Sequence, residues 1–247
     1  MTQRYKLLIE YDGTPFCGWQ SQSEGCGVQD ALSGAFQKFC GEQVTVFGAG
    51  RTDTGVHARG QVGHVDLAKD TDAETVKKAV NQHLKPLPVA VLGVEAVTDD
   101  FDARFSAIRR HYLYRFLDRR APLTLERDRA CWVPVSLDVE AMHEAAQVFL
   151  GRHDFTTFRS VQCQSKSPVK SIEAIRVQRQ GAHIDLTVSA RSFLHHQIRS
   201  FAGALKLVGE GKWQASDVAE ALAACERAAC APVAGPEGLY FMQVDYA

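Results

Sequence analysis

Between residues 28 and 40 the apolar side chains Val28, Ala31, Leu32, Ala35, Phe36 and Phe39 recur at the i, i+3, i+4, i+7 spacing of one helix face, and Gly41 supplies a stop. Alternating or β-branched runs surround this helix: strands at 4–10, 44–47, 61–66 and 89–97, with a second helix around 74–84. The resulting order, β-α-β-β-α-β, is the split βαβ or ferredoxin-like unit, in which two helices cover one face of an antiparallel sheet. A similar order recurs after a charged, proline-containing middle. A strand at 111–117 leads to a helix at 139–150, with Asp138 as N-cap and Gly151 as stop. Strands at 172–177 and 183–188, a helix at 193–208, a short helix near 217–224 and a last strand at 239–244 follow. The expectation is an α+β chain of two ferredoxin-like halves, residues 1–105 and 106–247, with antiparallel sheets joined around a central cleft suited to an extended polymer. The duplication rests on element order, since no residue-level repeat links the halves.

Composition narrows the partners. The apolar stretches of this 247-residue chain are broken by charge before the roughly 18 to 20 residues a membrane span requires. The start, MTQRYKLLIEYDG, enters a strand-like run without a signal-peptide core, so no membrane association and a cytoplasmic location are expected. Seven cysteines form an odd set with no C-x-x-C pair, which reads as reduced thiols rather than a disulfide framework or zinc site. The net charge of −1 argues against coating nucleic acid by bulk positive charge. The average conceals a local excess of arginine over acid across 101–130, which offers either a basic surface or a solvated face of paired charges.

The stretch GAGRTDTGVHARGQ, residues 48–61, sets Asp53 between Arg51 and His57 among four glycines. An aspartic protease needs two Asp-Thr-Gly loops sharing one proton. Here the tripeptide occurs once, and Arg51 favours the carboxylate anion, which opposes proton sharing. A Walker loop needs Gly-Lys-Ser/Thr opening a helix, and a dinucleotide loop needs G-x-G-x-x-G between strand and helix, whereas this stretch lies between two expected strands. A glycine-rich turn whose aspartate caps its own loop is the plain alternative. Against it stands the density of Arg51, Asp53 and His57 on one tight path, which suits a carboxylate doing nucleophilic or electrostatic work.

GRTDTGVHA resembles the G-R-T-D-x-G-V-H-[AG] signature of the tRNA pseudouridine synthase A (TruA) family. EYDGTPFCGWQ, VQDAL, DDFDARFSA, RHYLYRF, GRHDFTTFRS, FLHHQIRSFAG and PEGLYFMQVDY resemble further family blocks in the same order. The resemblance implies the pseudouridine synthase fold and an isomerase that breaks the N-glycosidic bond of uridine in the tRNA anticodon arm, around positions 38 to 40, and rejoins the base through carbon 5. It implies no cofactor and no metal, and a homodimer in which one tRNA contacts both subunits. Carried over residue by residue, it makes Asp53 the catalytic carboxylate, with Arg51 beside it, and Arg199 the arginine that pairs with it. Tyr112 becomes the tyrosine against the target base; Tyr114 shares its strand parity, so spacing alone does not choose between them. Arg59, Arg104 and Arg110 are expected among the RNA contacts, with Arg109, Arg159 and Lys166 as further candidates. His195 and His196 invite a metal reading, but as neighbours on a helix they would point about 100° apart. A protein that binds RNA through the same surface without chemistry is the rival reading, and Asp53 argues against it, because a carboxylate repels phosphate.

Overall fold

The computed structural model describes residues 2–247 and divides into two compact units, one running to Ile108 and including Tyr240–Ala247, the other Arg109–Leu239. The first contains β1 (Gln3–Tyr11), α1 (Val28–Cys40), β2 (Phe47–Gly48), β3 (His57–Leu67), α2 (Ala73–Leu84) and β4 (Val89–Val97). β1 lies between β4 and β3, antiparallel to both, with Leu7 opposite Gly63 on one side and Val94 on the other. β2 adds to the far side of β3, so the order is β4-β1-β3-β2, that of a ferredoxin-like sheet. Tyr5, Leu7, Ile9 and Tyr11 alternate into the core, where α1 contributes Val28, Leu32 and Phe36 and α2 contributes Val76, Val80 and Leu84. Each such large apolar side chain is worth about 1.5–3 kcal/mol when fully buried.

Both helices form where their periodicity places them, for visible reasons. Asp30 Oδ2 accepts the Gly27 amide at the start of α1 (2.9 Å), and Gly41 closes it at φ +78°. Asp72 caps α2 through the Thr75 amide (2.9 Å). The strand expected at 44–47 shrinks to Phe47–Gly48, because the Val46 carbonyl is taken by Gln29 Nε2 (2.8 Å) instead of a strand neighbour. β3 starts at His57, four residues before its expected start. It is buried on both faces over most of its length and so shows no alternation to read.

The second unit holds β5 (Ala107–Asp118) from Arg109 onward, β6 (Cys131–Val133), α3 (Val139–Ala146), β7 (Gly151–Asp154), β8 (Val169–Gln180), β9 (His183–Ala190), α4 (Gln197–Gly209) and α5 (Ala215–Ala224). Its strand order is β5-β9-β8-β7, all antiparallel, with β6 parallel to β5. Phe149 stacks on Phe201 with centroids 4.0 Å apart, and Phe155 and Phe158 close the cluster between the helices. Asp138 caps α3 as expected, through the Ala141 amide (3.0 Å), but the helix passes into a 3-10 turn at Gln147. α4 begins at Gln197, not Phe193. Gln197 Oε1 accepts the Leu194 amide (2.8 Å) and His196 takes φ +65°, so a side-chain-bonded turn replaces the first helical turn. The premise that His195 and His196 diverge on a helix therefore fails, and their ring centroids lie 4.1 Å apart.

The last strand, β10 (Leu239–Tyr246), read from the sequence with the second half, pairs in parallel with β3, Tyr240 opposite His57 and Phe241 opposite Ala58. A second correction concerns the cysteines. Cys17 and Cys26 are joined in a disulfide, with Cα atoms 5.4 Å apart, and the other five remain free. The loop after β1 folds back on itself, Cys17 N donating to Cys26 O (3.0 Å), a proximity that the odd count and the spacing did not signal. Among the described residues no helix is long and apolar enough to cross a membrane.

Candidate active site

Asp53 sits in the connection between β2 and β3, where several backbone groups of the loop are engaged. Ala49 N donates to Val62 O (2.7 Å), Gln61 Nε2 to Gly50 O (2.8 Å), and Val56 N to Asp53 O (3.1 Å), closing a tight turn. From the β1 side Trp19 N donates to Thr52 O (3.0 Å), while the Thr52 hydroxyl lies 2.7 Å from the phenol oxygen of Tyr11. Burial pushes the Tyr11 phenol up to about 12, so it stays neutral and keeps this bond across the physiological range. Gly18, at φ +98°, passes so close that a Cβ there would lie 2.5 Å from Thr52 O. The result is a loop with Arg51 exposed, Thr52 buried and Asp53 half-buried. Such a carboxylate is reachable by a substrate but fixed in direction by its backbone, the arrangement that electrostatic or nucleophilic catalysis requires.

The residues after the loop support it. His57 is buried, its Nδ1 3.0 Å from Gly13 N and 3.2 Å from Asp12 Oδ1, and its ring stacks on Tyr240 at 4.8 Å. Arg59, two residues on and exposed, places its guanidinium 5.4 Å from the centroid of the same Tyr240 ring. Arg104 occupies a separate turn, where Asp102 Oδ1 accepts the amides of both Arg104 and Phe105 (2.8 Å each) and the Arg104 guanidinium lies over the exposed Phe105 ring.

The second unit carries the other candidates. Tyr112 is half-buried on β5, edge-on to Phe193 with centroids 5.1 Å apart. Tyr114, which shares its parity, is fully buried and donates to Gly235 O (2.9 Å); burial raises its phenol well above the ordinary range. The two tyrosines thus separate into one accessible ring and one core ring. Arg110 is 8% exposed and donates to Arg191 O (2.6 Å), a mostly interior position for an expected RNA contact. Arg199 is half-buried on α4, its Nε donating to Ala234 O (2.9 Å) while Ala234 N donates to Arg199 O (3.1 Å). Sequence reasoning did not single out Tyr11, Gly18 or Trp19 as the clasp on the Asp53 loop, although the YDG and GWQ tripeptides mark that segment.

A family profile described as tRNA pseudouridine synthase matches residues 7–106 and 145–247. Asp53, Arg51, Arg59, Arg104 and Arg199 lie inside these segments, and Tyr112 and Arg110 lie between them. The chain is 57% identical over 243 residues to "tRNA pseudouridine synthase A" of Parvibaculum lavamentivorans, covering 98% of this chain and 99% of that protein. Proteins of the same name from Maricaulis maris and Brucella ovis are each 58% identical, covering 98% and 99% of this chain and 98% of each relative. Among solved structures, "Crystal Structure of a Cbf5-Nop10-Gar1 Complex" is matched at a TM-score of 0.36 and 13% identity, over 82% of this chain and 45% of that one, a likeness too slight to bear on function. The profile across most of the sequence and full-length relatives well above half identical place this chain in the tRNA pseudouridine synthase A family.

Proposed function

We propose that this enzyme isomerises uridine to pseudouridine in the anticodon arm of tRNA, around positions 38 to 40, with Asp53 as the catalytic carboxylate. The observation that carries the assignment is the clamped loop, which leaves Asp53 as a half-buried acid on a backbone held by Tyr11, Trp19 and Gln61. In the reaction the N1–C1′ bond breaks, the base turns, and C5 bonds to C1′; the carbon 5 proton leaves and N1 gains one, so atoms balance without an electron acceptor. Asp53 attacks the substrate or stabilises the sugar cation, as carboxylates do in glycoside chemistry. Arg51 and Arg199 keep the roles that the family resemblance gives them, as the cationic partners of the Asp53 carboxylate. Tyr112 packs against the target base, and the exposed Arg59 and Arg104 serve the RNA, with Arg110 as a support of the Arg191 backbone. Extruding the uridine costs a few kcal/mol, which contacts elsewhere on the tRNA must offset. A cytoplasmic homodimer, with one tRNA touching both subunits, assembles the cationic surface that a chain of net charge −1 lacks singly.

The test is tritium release from unmodified tRNA labelled at uridine carbon 5. Wild type should release tritium, and Asp53→Ala should release none while binding tRNA as well as or better than wild type. Undiminished release by the variant would remove Asp53 from the chemistry. A folded wild type that binds tRNA without releasing tritium would favour the rival reading, a binder without catalysis.

A further inference from the structure

A second feature lies in the Arg109–Leu239 unit, beside Arg110, and none of the residues lining it has been given a role so far. Arg152 on β7 is opposite Ser171 on β8, and the pairing of Ile172 with Ala190 brings Arg191, just past β9, alongside. With Val169, Lys170 and Ser192 they line a cavity of about 190 Å³. No acid lines it. The nearest acids in sequence are engaged elsewhere, Asp154 Oδ1 by the Thr156 amide (2.8 Å) and Glu173 by Arg109 Nε. Among the described residues neither the Arg152 nor the Arg191 side chain has a hydrogen bond or ion pair, and both are exposed. Lys170 Nζ has only neutral partners, Ser165 Oγ (3.4 Å) and Ser167 O (3.5 Å). The Arg191 backbone is anchored, its carbonyl bonded by Arg110 Nη1 (2.6 Å).

Three cations around one cavity repel each other unless an anion joins them. Two guanidinium forks beside serine hydroxyls match the planar, multidentate demand of a phosphate group. The cavity is smaller than the roughly 300–1,000 Å³ that holds a drug-sized ligand and has room for a phosphate group with water. We infer that Arg152, Lys170 and Arg191, with Ser171 and Ser192, form a phosphate-binding subsite that takes a backbone phosphodiester of the tRNA. The inference rests on the proposed tRNA substrate and adds a contact point to the arginines already expected to meet RNA.

The experiment measures equilibrium binding of unmodified tRNA by filter retention across a salt series, beside tritium release, for wild type, Arg152→Ala/Arg191→Ala and Asp53→Ala. Both arginines are exposed, so the double variant should keep wild-type melting. It should weaken tRNA binding roughly tenfold and reduce the slope of log K against log salt by about 1 to 2. The loss in kcat/KM should appear in KM. Asp53→Ala should leave the slope intact, which separates this subsite from the chemistry: a wild type that binds tRNA without releasing tritium still tests it. Unchanged affinity and slope in the double variant would overturn the proposal. Inorganic phosphate, titrated as a competitor, distinguishes the source of the anion; if the double variant loses phosphate binding but not tRNA affinity, the site holds a free phosphate and the RNA assignment falls.

Discussion

Tyr112 and Tyr114 stand two residues apart on one strand, and the sequence treats them alike, yet burial assigns them different work. Tyr114→Phe removes a donor and leaves the Gly235 carbonyl without it in the interior, so unfolding free energy should fall by about 1–3 kcal/mol in urea titration. Tyr112→Phe keeps the half-buried ring in place, and a fall in kcat with an unchanged melting temperature would report on its hydroxyl. Gly18 makes a comparable point about the Asp53 loop. Gly18→Ala sets a side chain at φ +98° against Thr52 O, and the φ alone costs about 1–2 kcal/mol. Its expected result is a lower melting temperature together with at least a tenfold fall in kcat, since a displacement of about 1 Å at a catalytic group costs on the order of a hundredfold. A normal kcat in the folded variant would show that the clasp from the β1 side does not position Asp53.

Elements are tied together by charges whose pKa directions set the response to pH. Arg179 on β8 grips Asp118 at the end of β5 through two bonds of 2.7 Å, and Asp118 also accepts the amide of Leu137, just before α3. The Arg179 bonds hold the Asp118 carboxyl below the usual carboxylate range. A depressed folded-state pKa means that the stabilisation is complete above the unfolded value, about 3.9, and is lost as pH falls through the folded value. Asp118→Asn should therefore destabilise by about 2 kcal/mol at pH 7, and denaturant titrations should show that gap closing below about pH 4. In the first unit, burial lowers the pKa of His64, whose Nδ1 accepts the Ala103 amide (3.1 Å). Its contribution is present above about pH 6.5 and lost as pH falls further; NMR titration of the His64 ring should give a midpoint below that value.

At the scale of the whole molecule, a net charge of −1 has to coexist with binding a polyanion, and the distribution of charge matters more than its sum. Sedimentation should give twice the 27.2 kDa chain mass if the proposed homodimer forms. The Cys17–Cys26 link offers a simpler check: unreduced, denatured protein should titrate five thiols, and seven after reduction. Because disulfides are rare in reducing compartments, the unreduced count also reads which form the isolated chain holds.

The sequence by itself determined both helices of the first unit, the caps at Gly41 and Asp138, and the family through GRTDTGVHA, because these depend on periodicity, local hydrogen bonds and residues adjacent in the chain. It did not determine where α4 begins, since His196 takes a left-handed backbone and the Gln197 side chain ties down the Leu194 amide in a turn ahead of the helix. It left open whether Tyr112 or Tyr114 is accessible, a matter of depth and not of spacing. Tertiary structure alone joined Cys17 to Cys26, laid β10 beside β3, and gathered Arg152, Lys170 and Arg191 around one cavity. Each of these joins segments far apart in sequence or turned back by a loop, and their proximity follows from packing, which no local pattern encodes.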